Sequence, residues 1–127
     1  MLSACVLLVF AAVVAAGCNP FQPRACTAIG CTDGLIVEVT GAPTGASVTV
    51  TAIAPDGSSK SGPCLSTGTA CTAYLDGFMP ATATLRVSWN SNTVEFEITP
   101  AYVTTYPNGR DCPPACVQAH VALTVSP

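Results

Sequence analysis

Six cysteines in three close couples constrain this chain more than any other feature: Cys26 and Cys31, Cys64 and Cys71, Cys112 and Cys116. In a small exported domain an even set of this kind reads as a disulfide framework. Each couple spans a short loop, and closing a short loop costs the least chain entropy. Spacing therefore favours Cys26–Cys31, Cys64–Cys71 and Cys112–Cys116 over the other connectivities. A thiolate zinc site fits poorly, because no cysteine knuckle with two intervening residues occurs and His120 is the single histidine. The Cys112 and Cys116 pair also lacks the spacing of a thioredoxin-like redox site, and its flanking prolines read as loop stiffening.

Cys5 and Cys18 belong to a different segment. Leu2 to Ala16 carries only Ser3 as a polar interruption and runs into the small residues Ala15, Ala16 and Gly17. About 15 apolar residues fall short of the roughly 20 that a helix needs to span a bilayer, which predicts a secretory signal at residues 1–17. The stretch Ala15-Ala16-Gly17-Cys18 resembles the lipobox of bacterial lipoproteins. That resemblance implies diacylation of the Cys18 thiol, cleavage before it and acylation of the new amino terminus. Cys5 would leave with the signal, and the membrane would be a partner through the lipid on Cys18. The implied location is the cell envelope. Asn19 stands where an Asp would resemble an inner-membrane retention signal, so a host with two membranes would carry the protein on the outer one, facing the periplasm or the cell surface. Ordinary secretion with an unmodified Cys18 is the alternative.

Residues 18–30, with Pro20, Pro23 and little hydrophobic pattern, read as the lipid anchor and tether, and residues 31–127 as one domain. From Cys18 onward there are 16 Thr, 10 Val and 4 Ile against 1 Lys and 3 Glu, a bias toward strands. Alternation places Leu35, Val37 and Val39 on one face, and Val48, Val50 and Ala52 on another strand's inner face. Ala70 to Leu75 is a further strand after a loop over Pro63 to Thr69. Thr82 to Asn90 and Thr93 to Thr99 form a hairpin with Leu85, Val87, Trp89, Val94, Phe96 and Ile98 inward. Its register is open: a loop at Ser91-Asn92 pairs Arg86 with Glu97, and one at Asn90-Ser91 pairs Arg86 with Glu95. The last strand carries Val117, Ala119, Val121, Leu123 and Val125 on one face. The fold class is all-β: an antiparallel Greek-key-type β-sandwich of six or seven strands, tied by disulfides, after an N-terminal signal helix. The runs Gly34 to Val39, Pro43 to Val50 and Ala101 to Cys116 resemble small extracytoplasmic sandwiches of the immunoglobulin-like or transthyretin-like (carboxypeptidase-regulatory) type. The resemblance implies a binding or accessory module and conveys no catalytic residue.

A formal charge of −3 with one Lys argues against a nucleic-acid partner, which needs clustered Lys and Arg. The one candidate base, His120, alternates with core positions and shares the outward face with Gln118, Ala122 and Thr124. Glu95 and Glu97 lie on one strand face at the roughly 7 Å separation used by paired-carboxylate glycosidases, but they read as an outer face with Arg86 placed to neutralise one. Asp33, Asp56, Asp76 and Asp111 sit in Gly- or Pro-bearing loops without a calcium-loop series and read as turn formers. No metal and no cofactor are expected. Tyr102, Tyr106, Asn108 and Arg110, around the Pro107 turn, are the candidate binding residues. The expected function is a non-catalytic binding or structural accessory of the envelope, meeting an envelope protein or a glycan. The alternative is an inhibitor of secreted hydrolases presenting a disulfide-held, Pro-rich loop, and a small hydrolase using Glu95 or His120 ranks third.

Overall fold

The computed structural model describes residues 26–127. The expected signal at 1–17, its helix, Cys18 and the tether up to residue 25 lie outside the described residues. Eight strands follow in chain order: β1 (Gly34–Thr40), β2 (Val48–Ile53), β3 (Ser59–Ser66), β4 (Ala70–Asp76), β5 (Ala83–Trp89), β6 (Asn92–Ile98), β7 (Val103–Thr105) and β8 (Cys116–Thr124). They join into one curled sheet in the order β6-β5-β2-β3-β4-β1-β8-β7. The expected count of six or seven strands is corrected to eight, because β3 and the short β7 lacked a hydrophobic signature.

β3 explains both its own concealment and the shape of the sheet. Its sequence, Ser-Lys-Ser-Gly-Pro-Cys-Leu-Ser, reads as a loop, and only Gly62 in it is fully buried. Residues 59–64 pair with β2, after which Leu65 and Ser66 pair with Thr72 and Cys71 of β4. The chain thus passes from one half of the sheet to the other within a single strand. Gly62 stands at this corner: a Cβ there would lie 3.2 Å from both the Leu75 side chain and the Tyr74 carbonyl oxygen. Glycine in a strand commonly marks such a bend, where another backbone approaches closely.

The curl wraps both halves around one core. Leu35, Val37 and Val39 of β1 and Leu75 of β4 meet Val50 of β2, with Leu85 and Val87 of β5, and all are essentially fully buried. Each inner position alternates with an outer one, as the period of two demands. Burying each such side chain contributes roughly 1.5–3 kcal/mol. Trp89, 2% exposed, lies on the same inner face. Its indole Nε1 has no hydrogen-bond acceptor among the described residues.

One pairing departs from the all-antiparallel expectation. β1 and β8 run parallel, from Gly34 beside Gln118 to Thr40 beside Thr124, while every other pair is antiparallel. The connection between them crosses most of the domain, so parallel pairing is sterically available. Gly41 closes the far end with φ of +92°, and Val125 N–H donates to Thr40 O at 2.8 Å.

The parallel pair also overturns two of the three expected disulfides. Cys26 joins Cys112 and Cys31 joins Cys116, with Cα separations of 5.6 and 6.0 Å, whereas Cys64–Cys71 is local as expected at 5.2 Å. Loop-closure entropy describes an unfolded chain. In the folded domain the Gly34/Gln118 register, continued upstream of both strands, brings Cys31 to within one residue of Cys116 and Cys26 to within two of Cys112. The sheet has already brought the two ends together, so the long-range bonds form at no further chain-entropy cost in the native state.

Candidate binding surfaces

The sequence-based candidates lie at the end of the domain where these two disulfides sit, and the fold divides them. Asn108, half-buried, is tied down by four hydrogen bonds. Its Oδ1 accepts from the Ile29 N–H at 3.1 Å and from the Thr27 hydroxyl at 2.5 Å, and its Nδ2 donates to Ile29 O at 2.7 Å and Pro113 O at 3.0 Å. A single amide side chain thereby reproduces the two-way pairing of a strand neighbour for residue 29. Nearby, Asp33 Oδ1 accepts from Val117 N–H at 2.7 Å, and Gln118 Nε2 donates to Thr32 O at 2.8 Å. Residues 26–33 are therefore clamped along the Tyr106–Gln118 stretch by two disulfides and side-chain bonds. The last part of the expected tether, 26–30, is bound to the domain.

Tyr102 is also engaged. It packs against the core, half-buried, and its hydroxyl donates to Pro80 O at 2.7 Å. Burial pushes its pKa above the usual tyrosine value. Tyr106 and Arg110 remain at the surface. The turn closed by Gly109 N–H to Tyr106 O at 3.0 Å folds Arg110 back, placing its guanidinium 5.6 Å from the Tyr106 ring centre in a cation–π contact. Of the four candidates, these two are the ones still able to meet a partner.

A second surface lies on the outer face of β4, β1 and β8. The two registers of β1 set Tyr74, Ile36 and His120 in one row across three strands, and Thr72, Glu38 and Ala122 in the next. Leu65 extends that second row from the corner strand. Tyr74 is 54% exposed and Leu65 57%, so apolar surface lies open beside the Glu38 carboxylate and the His120 imidazole. A shallow depression of about 330 Å³ covers the patch. His120 is exposed on the outward face, as its strand position predicts. Its neighbours were not foreseeable, because only the parallel pairing brings β8 beside β1 and only the overlooked corner strand brings Leu65 beside β4.

The remaining polar candidates are occupied by their neighbours. The Arg86–Glu95 register is the one adopted: the guanidinium meets Glu95 Oε1 at 2.8 and 2.9 Å, and Thr84 Oγ1 donates to Glu97 at 2.6 Å. Both members of the ion pair are about half exposed, and such a pair is worth less than about 1 kcal/mol. Asp56 accepts from the Ser58 hydroxyl at 2.6 Å and its N–H at 2.9 Å, which lowers its pKa. Asp76 accepts from the Thr32 hydroxyl at 2.8 Å. Among the described residues, no three His, Cys, Asp or Glu side chains gather where they could hold a metal ion. Compared with models of protein families, with curated proteins and with solved structures, the chain matches none.

Proposed function

We propose that this chain is a lipid-anchored domain of the cell envelope, fixed to its membrane through Cys18, that serves as a non-catalytic binding or structural module. The observation that carries the reading is the clamp just after the lipobox-like segment: two disulfides and Asn108 tie residues 26–33 to the stretch from Asn108 to Cys116. Such a clamp suits a chain that is held by its amino terminus. Three disulfides also favour an oxidising compartment outside the cytosol. The domain is then a variant of the immunoglobulin-like or transthyretin-like sandwich whose two halves are joined through β3.

The outer face around Tyr74, Ile36, Leu65 and His120 is the partner surface in this reading, for an envelope protein or a glycan. An aromatic ring with adjacent polar groups on a rigid sheet is the composition such contacts use. The non-catalytic assignment is supported by Glu95 and Glu97 lying bonded to Arg86 and Thr84, distant in register from His120. An inhibitor of secreted hydrolases draws less support. The Cys64–Cys71 loop is a tight hairpin closed by Thr67 N–H to Ala70 O at 2.8 Å, and the Pro107 to Cys116 loop is folded into turns and held by Asn108 to Pro113 O and by Cys112 and Cys116 instead of standing extended.

Fractionation and crosslinking in the native host test the proposal. The unaltered protein should sediment with membranes and Cys18→Ser should appear in the soluble fraction. A crosslinked species formed by the unaltered protein should be lost in Tyr74→Ser. Membrane association unaffected by Cys18→Ser would refute the anchor, and crosslinks unaffected by Tyr74→Ser would refute the assigned surface.

A further inference from the structure

We infer that the clamp end of the domain, through Ile29, Tyr106 and Arg110, rests on the phospholipid headgroups of the membrane that holds Cys18. The inference builds on the anchor reading above. Eight residue steps separate Cys18 from Cys26, a reach of at most about 28 Å at full extension. Cys26 is itself bonded to Cys112, so this reach is measured from a fixed point on the domain and not from a loose chain end. This end of the domain is therefore the part that the tether holds within reach of the bilayer.

Its composition suits that position. Ile29 is 56% exposed and Tyr106 40% exposed, and Asn108 ties them to one another's neighbourhood by holding the Ile29 backbone from within the Tyr106 turn. Arg110 lies over the Tyr106 ring and is exposed. A tyrosine ring is amphipathic and favours the headgroup level of a bilayer, an aliphatic side chain adds apolar contact, and a guanidinium pairs with phosphate. A clamp of disulfides and side-chain bonds holds the three on a rigid base, so little ordering entropy is lost on contact.

The test uses the full acylated chain in nanodiscs of phosphatidylethanolamine and phosphatidylglycerol, with and without a lipid carrying a chelated gadolinium ion on its headgroup. Paramagnetic relaxation of the backbone amides reports distance from the headgroups residue by residue. The largest enhancements are expected at residues 27–30 and 106–112, falling several-fold there in the Tyr106→Ser/Arg110→Glu variant while that variant stays on the disc. Enhancement that is strongest at 72–76, or spread evenly over the domain, overturns the contact. Enhancement at 106–112 that the double variant leaves unchanged also overturns it, since tethering alone would then account for the proximity. Mass spectrometry of the protein purified from its host membranes separates the two readings: an unmodified Cys18 overturns the anchor itself.

Discussion

Removing the two long-range disulfides one at a time and together should give strongly non-additive losses of stability. Cys26–Cys112 and Cys31–Cys116 have sequence separations of 86 and 85 and interlace along the chain, so each alone closes nearly the same loop. By the chain-entropy relation, closing a loop of that length is worth about 4.6 kcal/mol. Once one bond is present, the second closes only the small ring made by residues 26–31 and 112–116, worth about 2.8 kcal/mol. Cys26→Ala/Cys112→Ala and Cys31→Ala/Cys116→Ala should therefore each cost about 2.8 kcal/mol, while the quadruple variant costs about 7.4 kcal/mol, roughly 1.8 kcal/mol more than the two losses combined. With local pairs Cys26–Cys31 and Cys112–Cys116, each of these double variants would instead open both small loops, worth about 2 kcal/mol apiece, so either double variant and the quadruple variant would all lose about 4 kcal/mol. Urea unfolding followed by the fluorescence of the single, buried Trp89 provides the measurement. Losses that merely add, or a quadruple variant no less stable than either double variant, would refute the interlaced clamp.

Three further expectations follow from individual positions. Leu75→Ala empties a fully buried site against the corner at Gly62 and should cost about 2–5 kcal/mol in the same unfolding assay, with a loss below 1 kcal/mol counting against a single shared core. Gly41→Ala should be severely destabilising: the left-handed φ of +92° alone costs about 1–3 kcal/mol for another residue, and the new Cβ would overlap the Val125 carbonyl oxygen; a thermal midpoint within a degree of the parent would contradict this geometry. Tyr102 holds its proton above the usual tyrosine range through burial, so the folded state keeps a proton that the unfolded chain releases. Its contribution is present below about pH 10 and declines as pH rises further, and Tyr102→Phe should lower stability at pH 8 by about 1 kcal/mol through loss of the bond to Pro80 while flattening the alkaline decline. An unchanged alkaline slope in the variant would assign that decline elsewhere.

What the sequence reveals and what it hides follow the range of the interactions involved. The β5–β6 hairpin is legible almost to the residue, because its alternation and turn are local. Its two candidate registers are settled by Asn90, which adopts φ of +51° and so carries the turn at Asn90-Ser91; asparagine tolerates that conformation better than most residues. Residues 59–66 hide a strand because Gly62 and Pro63 are there to turn a corner, and a corner has no hydrophobic face to repeat. The parallel β1–β8 pair joins residues 84 positions apart, for which neither strand carries a local mark. The cysteine partners and the role of Asn108 both depend on that pairing, which is why spacing pointed to local disulfides and Asn108 read as a binding residue. Tyr106 and Arg110 were recognisable as surface groups from their turn, whereas the Tyr74 face needed three strands assembled in the right order.

The central claim is a lipid on Cys18 followed by a disulfide-clamped domain. Intact-mass and peptide mass spectrometry of the protein purified from the membranes of its host tests it most directly. The expected product begins at Cys18 with a thioether-linked diacylglyceryl group, and its non-reduced peptides link Cys26 to Cys112 and Cys31 to Cys116. A mature chain whose Cys18 is an unmodified thiol would contradict the anchor and, with it, the membrane-facing assignment of the clamp.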